Sequence, residues 1–156
     1  MSTSRLARTV RWGLFIAVAS LALAGCDEKL SDLTGPTPNL QPTFSSIQSE
    51  IFDTTDSSGR LACINCHAPI GGRAALAGLN LTSGNSYAAL VGVSSVEQPG
   101  VLRVAPGDPE NSYLIHKLEG RPGIVGVRMP RGTGPFLTDG QILVIKRWIE
   151  LGARND

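Results

Sequence analysis

Five consecutive residues, Cys63-Ile64-Asn65-Cys66-His67, constrain this chain more than any other stretch of it. Cysteines three positions apart on a helical turn share a face, and a histidine follows at once. Cys-x-x-Cys-His is the attachment signature of a c-type haem. Cys63 and Cys66 can each bond one vinyl group of a single porphyrin, and His67 can turn its imidazole to the iron. One segment thus fixes a cofactor covalently and supplies one axial ligand. A buried haem also adds apolar surface that a chain with 5% aromatic residues otherwise lacks. Three other chemistries use the same residue types. A thioredoxin-like redox pair takes Cys-x-x-Cys within a strand-and-helix fold, and no such pattern surrounds the motif. A structural zinc site needs four ligands, which Cys63, Cys66, His67 and His116 could supply. A disulfide between Cys63 and Cys66 suits an oxidising compartment.

The N-terminus bears on the compartment. Arg5, Arg8 and Arg11 form a positive start with no acid among them, and Trp12 to Gly25 carries no charge. That run is shorter than the roughly 20 residues of a membrane-spanning helix and suits the apolar region of a secretory signal. It ends in Leu23-Ala24-Gly25-Cys26, which resembles the lipobox of bacterial lipoproteins. The resemblance implies that residues 1–25 are removed and that Cys26 is lipidated. The mature chain is then anchored on the periplasmic side of a bacterial membrane, several acyl chains holding firmly where one alone is marginal. Export supports haem, because c-type attachment takes place outside the cytoplasm. The odd cysteine count is also explained, since Cys26 takes lipid and an even pair remains. From Cys26 to Asp156 there are 131 residues with 11 basic and 13 acidic side chains, a net charge of −2. No basic excess points to nucleic acid, and 17% charged residues exclude a disordered charged chain.

Residues 26–42 read as a lipidated N-terminus and flexible tether, with Thr34-Gly35-Pro36-Thr37-Pro38 lacking apolar periodicity. Residues 43–156 read as one short all-α domain. Phe44, Ile47, Ile51 and Phe52 fall on one helical face. A short turn carries Cys63 to His67, and a third helix runs from Asn85 to Val91. Asp108-Pro109 looks like an N-cap with proline at the first helical position. That helix carries Leu114, Ile115 and Leu118 and stops near Gly120. The last helix begins with Thr138 and Gln141 in capping-box spacing. Ile142, Ile145, Trp148 and Ile149 gather on one side of it, opposite Lys146, Arg147 and Glu150. Val101 to Val104 is the one stretch with strand character.

After loss of the leader, Met129 is the only methionine. It lies in the glycine- and proline-rich segment from Gly120 to Pro135, which cannot form a regular helix. Ile124, Val125 and Val127 suit a loop pressed over an apolar cofactor, with one soft sulfur aimed at iron. Histidine–methionine ligation raises the potential of such a centre. His116, the rival ligand, falls opposite the apolar stripe of its helix and reads as a solvated residue. Of the nearby arginines, Arg128 stands next to Met129 and is the candidate partner for a haem propionate.

The order of these features resembles the small monohaem cytochromes c. More narrowly, three segments resemble the cytochrome c-like domains of planctomycete and related bacterial proteins. They are Val104-Ala105-Pro106-Gly107-Asp108-Pro109 with Ser112-Tyr113-Leu114, then Arg128-Met129-Pro130, and Arg147-Trp148-Ile149-Glu150-Leu151-Gly152-Ala153. The match runs from about Phe44 to Ala153. The resemblance implies a small helical domain around one covalent haem c, with the first and last helices packed beside it. It also implies Cys63 and Cys66 as attachment points and His67 and Met129 as axial ligands. Filled axial positions leave no place for oxygen or peroxide, so the expected role is one-electron transfer to redox partners of a respiratory or periplasmic chain, not enzyme catalysis. A haem peroxidase or ligand sensor with a labile Met129, and a non-haem module holding zinc through Cys63, Cys66 and His67, are the alternatives.

Overall fold

The computed structural model describes residues 34–156. The expected signal peptide, Cys26 and the first part of the tether lie outside the described residues. Those residues form a small, mostly helical unit, and strand-like pairing among them is confined to isolated bridges. No helix among them is long and apolar enough to cross a membrane.

Helix α1 (Phe44–Ile47) starts at Thr43, whose side chain accepts a hydrogen bond from the Ser46 amide. It runs straight into a π-helical segment, Gln48–Phe52. Phe44, Ile47, Ile51 and Phe52 are all buried, so the expected apolar face exists, although its second half is wound wider than an α-helix. Two 3-10 turns follow, Cys63–Asn65 and Leu76–Gly78. Helices α2 (Ser86–Leu90), α3 (Tyr113–Glu119) and α4 (Asp139–Glu150) complete the unit.

The first and last helices pack together. The Phe44 and Trp148 rings lie 5.4 Å apart between centroids, and Tyr87 meets Phe44 edge-on at 5.1 Å. The C-terminal tail closes over this contact. Trp148 Nε1 donates to the Arg154 carbonyl at 2.8 Å, Tyr87 Oη to the Ala153 carbonyl at 3.0 Å, and the Phe44 amide to Asp156 Oδ1 at 2.8 Å.

Helix α4 follows its sequence pattern. Ile142, Ile145, Trp148 and Ile149 are buried, and Arg147 and Glu150 are exposed. Thr138 and Gln141 form both bonds of the capping box. Thr138→Ala removes an acceptor from an orphan helix amide and is expected to cost about 1 kcal/mol. Thermal unfolding would show a melting point several degrees lower, with Thr138→Ser close to the parent.

Two expectations are corrected. The tether does not run free to residue 42: Thr34, Thr37 and Leu40 are buried, and Gln141 Nε2 donates to Thr37 Oγ1 at 2.9 Å. The segment packs through isolated side chains, and so has no periodicity to reveal it. Helix α3 does not begin at Asp108-Pro109. Asp108 instead closes a turn, accepting from the Asn111 amide at 3.1 Å, and the helix starts after Ser112. It ends at Gly120 as expected, in the left-handed conformation (φ 70°). A Cβ there would lie 3.0 Å from Arg128 Cδ, so both backbone and space favour glycine.

Val101 to Val104 contributes only bridges, Val104 to Val91 and Leu102 to Ser94. Four charges join the flank of α3 to α4. Arg121 pairs with Glu110 and Glu119, and Lys146 pairs with the same two carboxylates.

Candidate functional site

The cysteine motif is positioned by a buried arginine that the sequence reading missed. Arg60 is fully buried. Its Nε donates to Asp56 Oδ2 at 2.9 Å, and its other nitrogens reach the carbonyls of Glu50, Ile51, Thr54 and Leu61 at 3.1–3.3 Å. Arg60 thus ties the end of the π-helical segment to the entry of the motif. Burial works to raise the Asp56 carboxyl, but hydrogen bonds from Ser58 and Arg60, with the Arg60 charge, hold it below the usual aspartate value.

The motif forms the expected turn, tightened to 3-10 geometry. The Cys66 and His67 amides both donate to the Cys63 carbonyl, at 3.2 and 2.9 Å. Both cysteines are free thiols. Cys63 Sγ donates to the Ile51 carbonyl at 3.4 Å, and burial pushes its pKa up to about 11. Cys66 is exposed.

His67 Nδ1 lies 3.1 Å from the Leu76 carbonyl. A carbonyl only accepts, so Nδ1 carries the hydrogen and Nε2 keeps its lone pair. Burial lowers the His67 pKa against the pull of that carbonyl, which favours the neutral ring. The second 3-10 turn therefore fixes both the tautomer and the orientation of the imidazole, a common device behind a ligating histidine.

Cys63 and His67 line a pocket of about 740 Å³, counting the space open to solvent at its mouth. Its surface is predominantly apolar, built from Phe52, Leu81, Leu90, Leu118 and Ile145 among others. These come from the π-helical segment, the loop before α2, and helices α2, α3 and α4. Met129 lines the same pocket, its amide donating to the Lys117 carbonyl at 2.9 Å. Residues from two distant parts of the sequence thus meet on one cavity.

The chain matches no family model, no curated protein and no solved structure.

Other candidates are placed elsewhere. Cys66 stands outside the pocket wall, as does His116, whose Nε2 lies 2.7 Å from the Glu110 carbonyl. Arg128 donates from Nε to the Leu118 carbonyl at 2.7 Å, and its guanidinium lies 4.3 Å from the centre of the Phe136 ring. It is not part of the wall. Val125 and Val127 are half exposed and do not line the pocket, so the loop meets it through Met129 and not through these valines.

In their stead the wall contains Glu97, Arg103 and Lys117, none of them singled out from sequence. Lys117 Nζ pairs with Glu97 Oε2 at 3.0 Å and donates to the Val125 carbonyl at 2.7 Å. Tyr113 Oη donates to the same Glu97 oxygen at 3.2 Å. One signal for Lys117 was present: it sits four residues after Tyr113 and three after Leu114, spacings that share a helical face. Among the described residues no three His, Cys, Asp or Glu side chains gather where a metal ion could be held.

Proposed function

We propose that this chain is a monohaem c-type cytochrome that carries single electrons, anchored to a membrane through Cys26. The observation that carries this reading is the convergence of Cys63, His67 and Met129 on one predominantly apolar pocket. The donors suit the group. Cys63 and Cys66 would hold it by thioethers, and His67 and Met129 would be its axial ligands, a neutral imidazole and a neutral thioether. When bound, the haem supplies a one-electron ferrous/ferric couple, tuned by ligand identity and burial.

The chain's own residues do the rest. Leu76 holds His67 in the tautomer that leaves Nε2 free. The predominantly apolar wall would shield a bound group from water. Lys117 and Glu97 cancel each other's charge at the pocket wall. Were His67 and Met129 both to ligate the iron, no coordination position would be left for oxygen or peroxide, which would favour a carrier over a peroxidase or sensor.

The competing readings fit less well. A zinc site would need His116, which is engaged with the Glu110 carbonyl outside the pocket. A thioredoxin-like pair would need a sheet frame and an activated thiol. The described residues contain only isolated bridges, and burial keeps the Cys63 thiol protonated. Expected partners are redox proteins on the periplasmic side of the membrane.

The test is expression alongside haem-attachment machinery, followed by visible spectra of oxidised and reduced protein and an intact mass. One covalent haem per chain and c-type absorption bands are expected. Haem-free protein under those conditions would sink the proposal.

A further inference from the structure

Three cationic side chains are buried among the described residues: Arg60, Lys117 and Arg103. Arg60 is paired with Asp56, and Lys117 with Glu97. Arg103 is 8% exposed and forms hydrogen bonds only to carbonyls, those of Ala89 at 2.8 Å, Ala77 at 3.1 Å and Gly78 at 3.4 Å. No carboxylate among the described residues forms an ion pair with it, Glu97 on the same pocket wall being paired with Lys117.

A guanidinium stays charged at any pH a protein meets, and a buried charge without a counter-charge strongly destabilises a fold. Of its five N–H groups, the three carbonyl bonds leave the one on Nε and one on Nη1 unused. Arg103 also lines the pocket. Its missing counter-charge therefore belongs to whatever the pocket holds.

We infer that Arg103 receives a carboxylate of the pocket's ligand which, on the haem reading this inference rests on, is a propionate. Arg128, expected from sequence to do this, is engaged by the Leu118 carbonyl and the Phe136 ring. Lys117 is already neutralised by Glu97. Only Arg103 brings both an uncompensated charge and free donors to the wall.

The assignment has a mechanical side. The guanidinium that takes the carboxylate also holds Ala77 and Gly78, next to Leu76, whose carbonyl orients His67. A single turn thus couples the carboxylate anchor to the axial histidine. Arg103 acts here as a positioning residue.

The test uses the haem-loaded protein, read by resonance Raman in the propionate-bending region and by redox titration. Arg103→Lys keeps the charge but loses the planar fork, so the propionate bands shift while the potential stays close to the parent. Arg103→Gln shifts the bands and also favours the ferric state about tenfold, a fall of about 59 mV for one electron. Should Arg103→Gln fail to accumulate, the bands of Arg103→Lys decide alone. Propionate bands unmoved in the Arg103 variants, or moved only in Lys117→Gln, overturn the assignment while leaving the haem reading intact. A haem-free parent overturns both.

Discussion

On the proposed haem ligation, Met129→Ala is expected to lower the midpoint potential of the haem-loaded protein by an amount on the order of 0.1–0.2 V, a fraction of the roughly 0.8 V that axial ligands span. At about 59 mV per tenfold for a one-electron couple, that favours the ferric state by roughly fifty-fold to a few thousand-fold. The physical reason would be the loss of a soft thioether ligand, which on that reading stabilises the ferrous state. Met129 lines the pocket together with His67, and its amide is fixed by the Lys117 carbonyl. The ferric sulfur-to-iron absorption band should vanish, and the vacated position should admit carbon monoxide in the reduced protein. Redox titration with spectra checks both. A potential and spectrum unchanged by the substitution would remove Met129 from the ligand set. His116 would be a poor replacement, because it lies outside the pocket wall and is engaged with the Glu110 carbonyl.

Asp56→Ala should lower stability by about 3–5 kcal/mol, the usual result of deleting one partner of a buried ion pair. That is a large part of the roughly 5–15 kcal/mol that holds a domain together. The side chains of Arg60 and Asp56 are 0% and 2% exposed, so the substitution strands a buried guanidinium. Denaturant unfolding measures the loss, and Asp56→Asn, which keeps an acceptor, should fall between.

The pH dependence has a definite sign. The folded Asp56 carboxyl is held below its usual value of 3.8. Its contribution is therefore complete above that value and fades as pH drops through the lower folded value. Asp56→Ala should lack this component of acid unfolding, which parallel titrations of the two proteins would reveal. An equal acid limb in both would remove Asp56 as its source. Because Arg60 ties the π-helical segment to the chain entering Cys63, haem attachment should also fall in the variant.

What could be read from sequence was what repeats or what has a fixed spacing. The apolar stripe of α4 and its capping box stand where the pattern put them. So do the buried face from Phe44 to Phe52 and the left-handed stop at Gly120. Within the site, the turn at Cys63 and the pocket-facing positions of His67 and Met129 were likewise legible.

What escaped was set by long-range geometry. Arg128 adjoins Met129 in the chain, yet its stem packs over Gly120 and its head over Phe136. Adjacency in sequence does not give side-chain direction in an irregular loop. Arg60 sits in a stretch without periodicity and Arg103 in the short strand-like run Val101 to Val104, and the burial of both depends on carbonyls gathered from several segments. Thr37 is held by a side chain 104 positions away. No local pattern records such contacts.

The ring formed by Glu110, Arg121, Glu119 and Lys146 alternates in sign, each charge touching two of the opposite kind. Such a quartet has no net charge, and its opposed dipoles largely cancel. Its potential therefore dies away over little more than its own width, well inside the roughly 10 Å over which salt at 0.1 M screens a lone charge. Four charged side chains on one flank are thus nearly silent at a distance. Any electrostatic steering of an approaching protein, and any dependence of its association rate on ionic strength, must come from charges outside this ring.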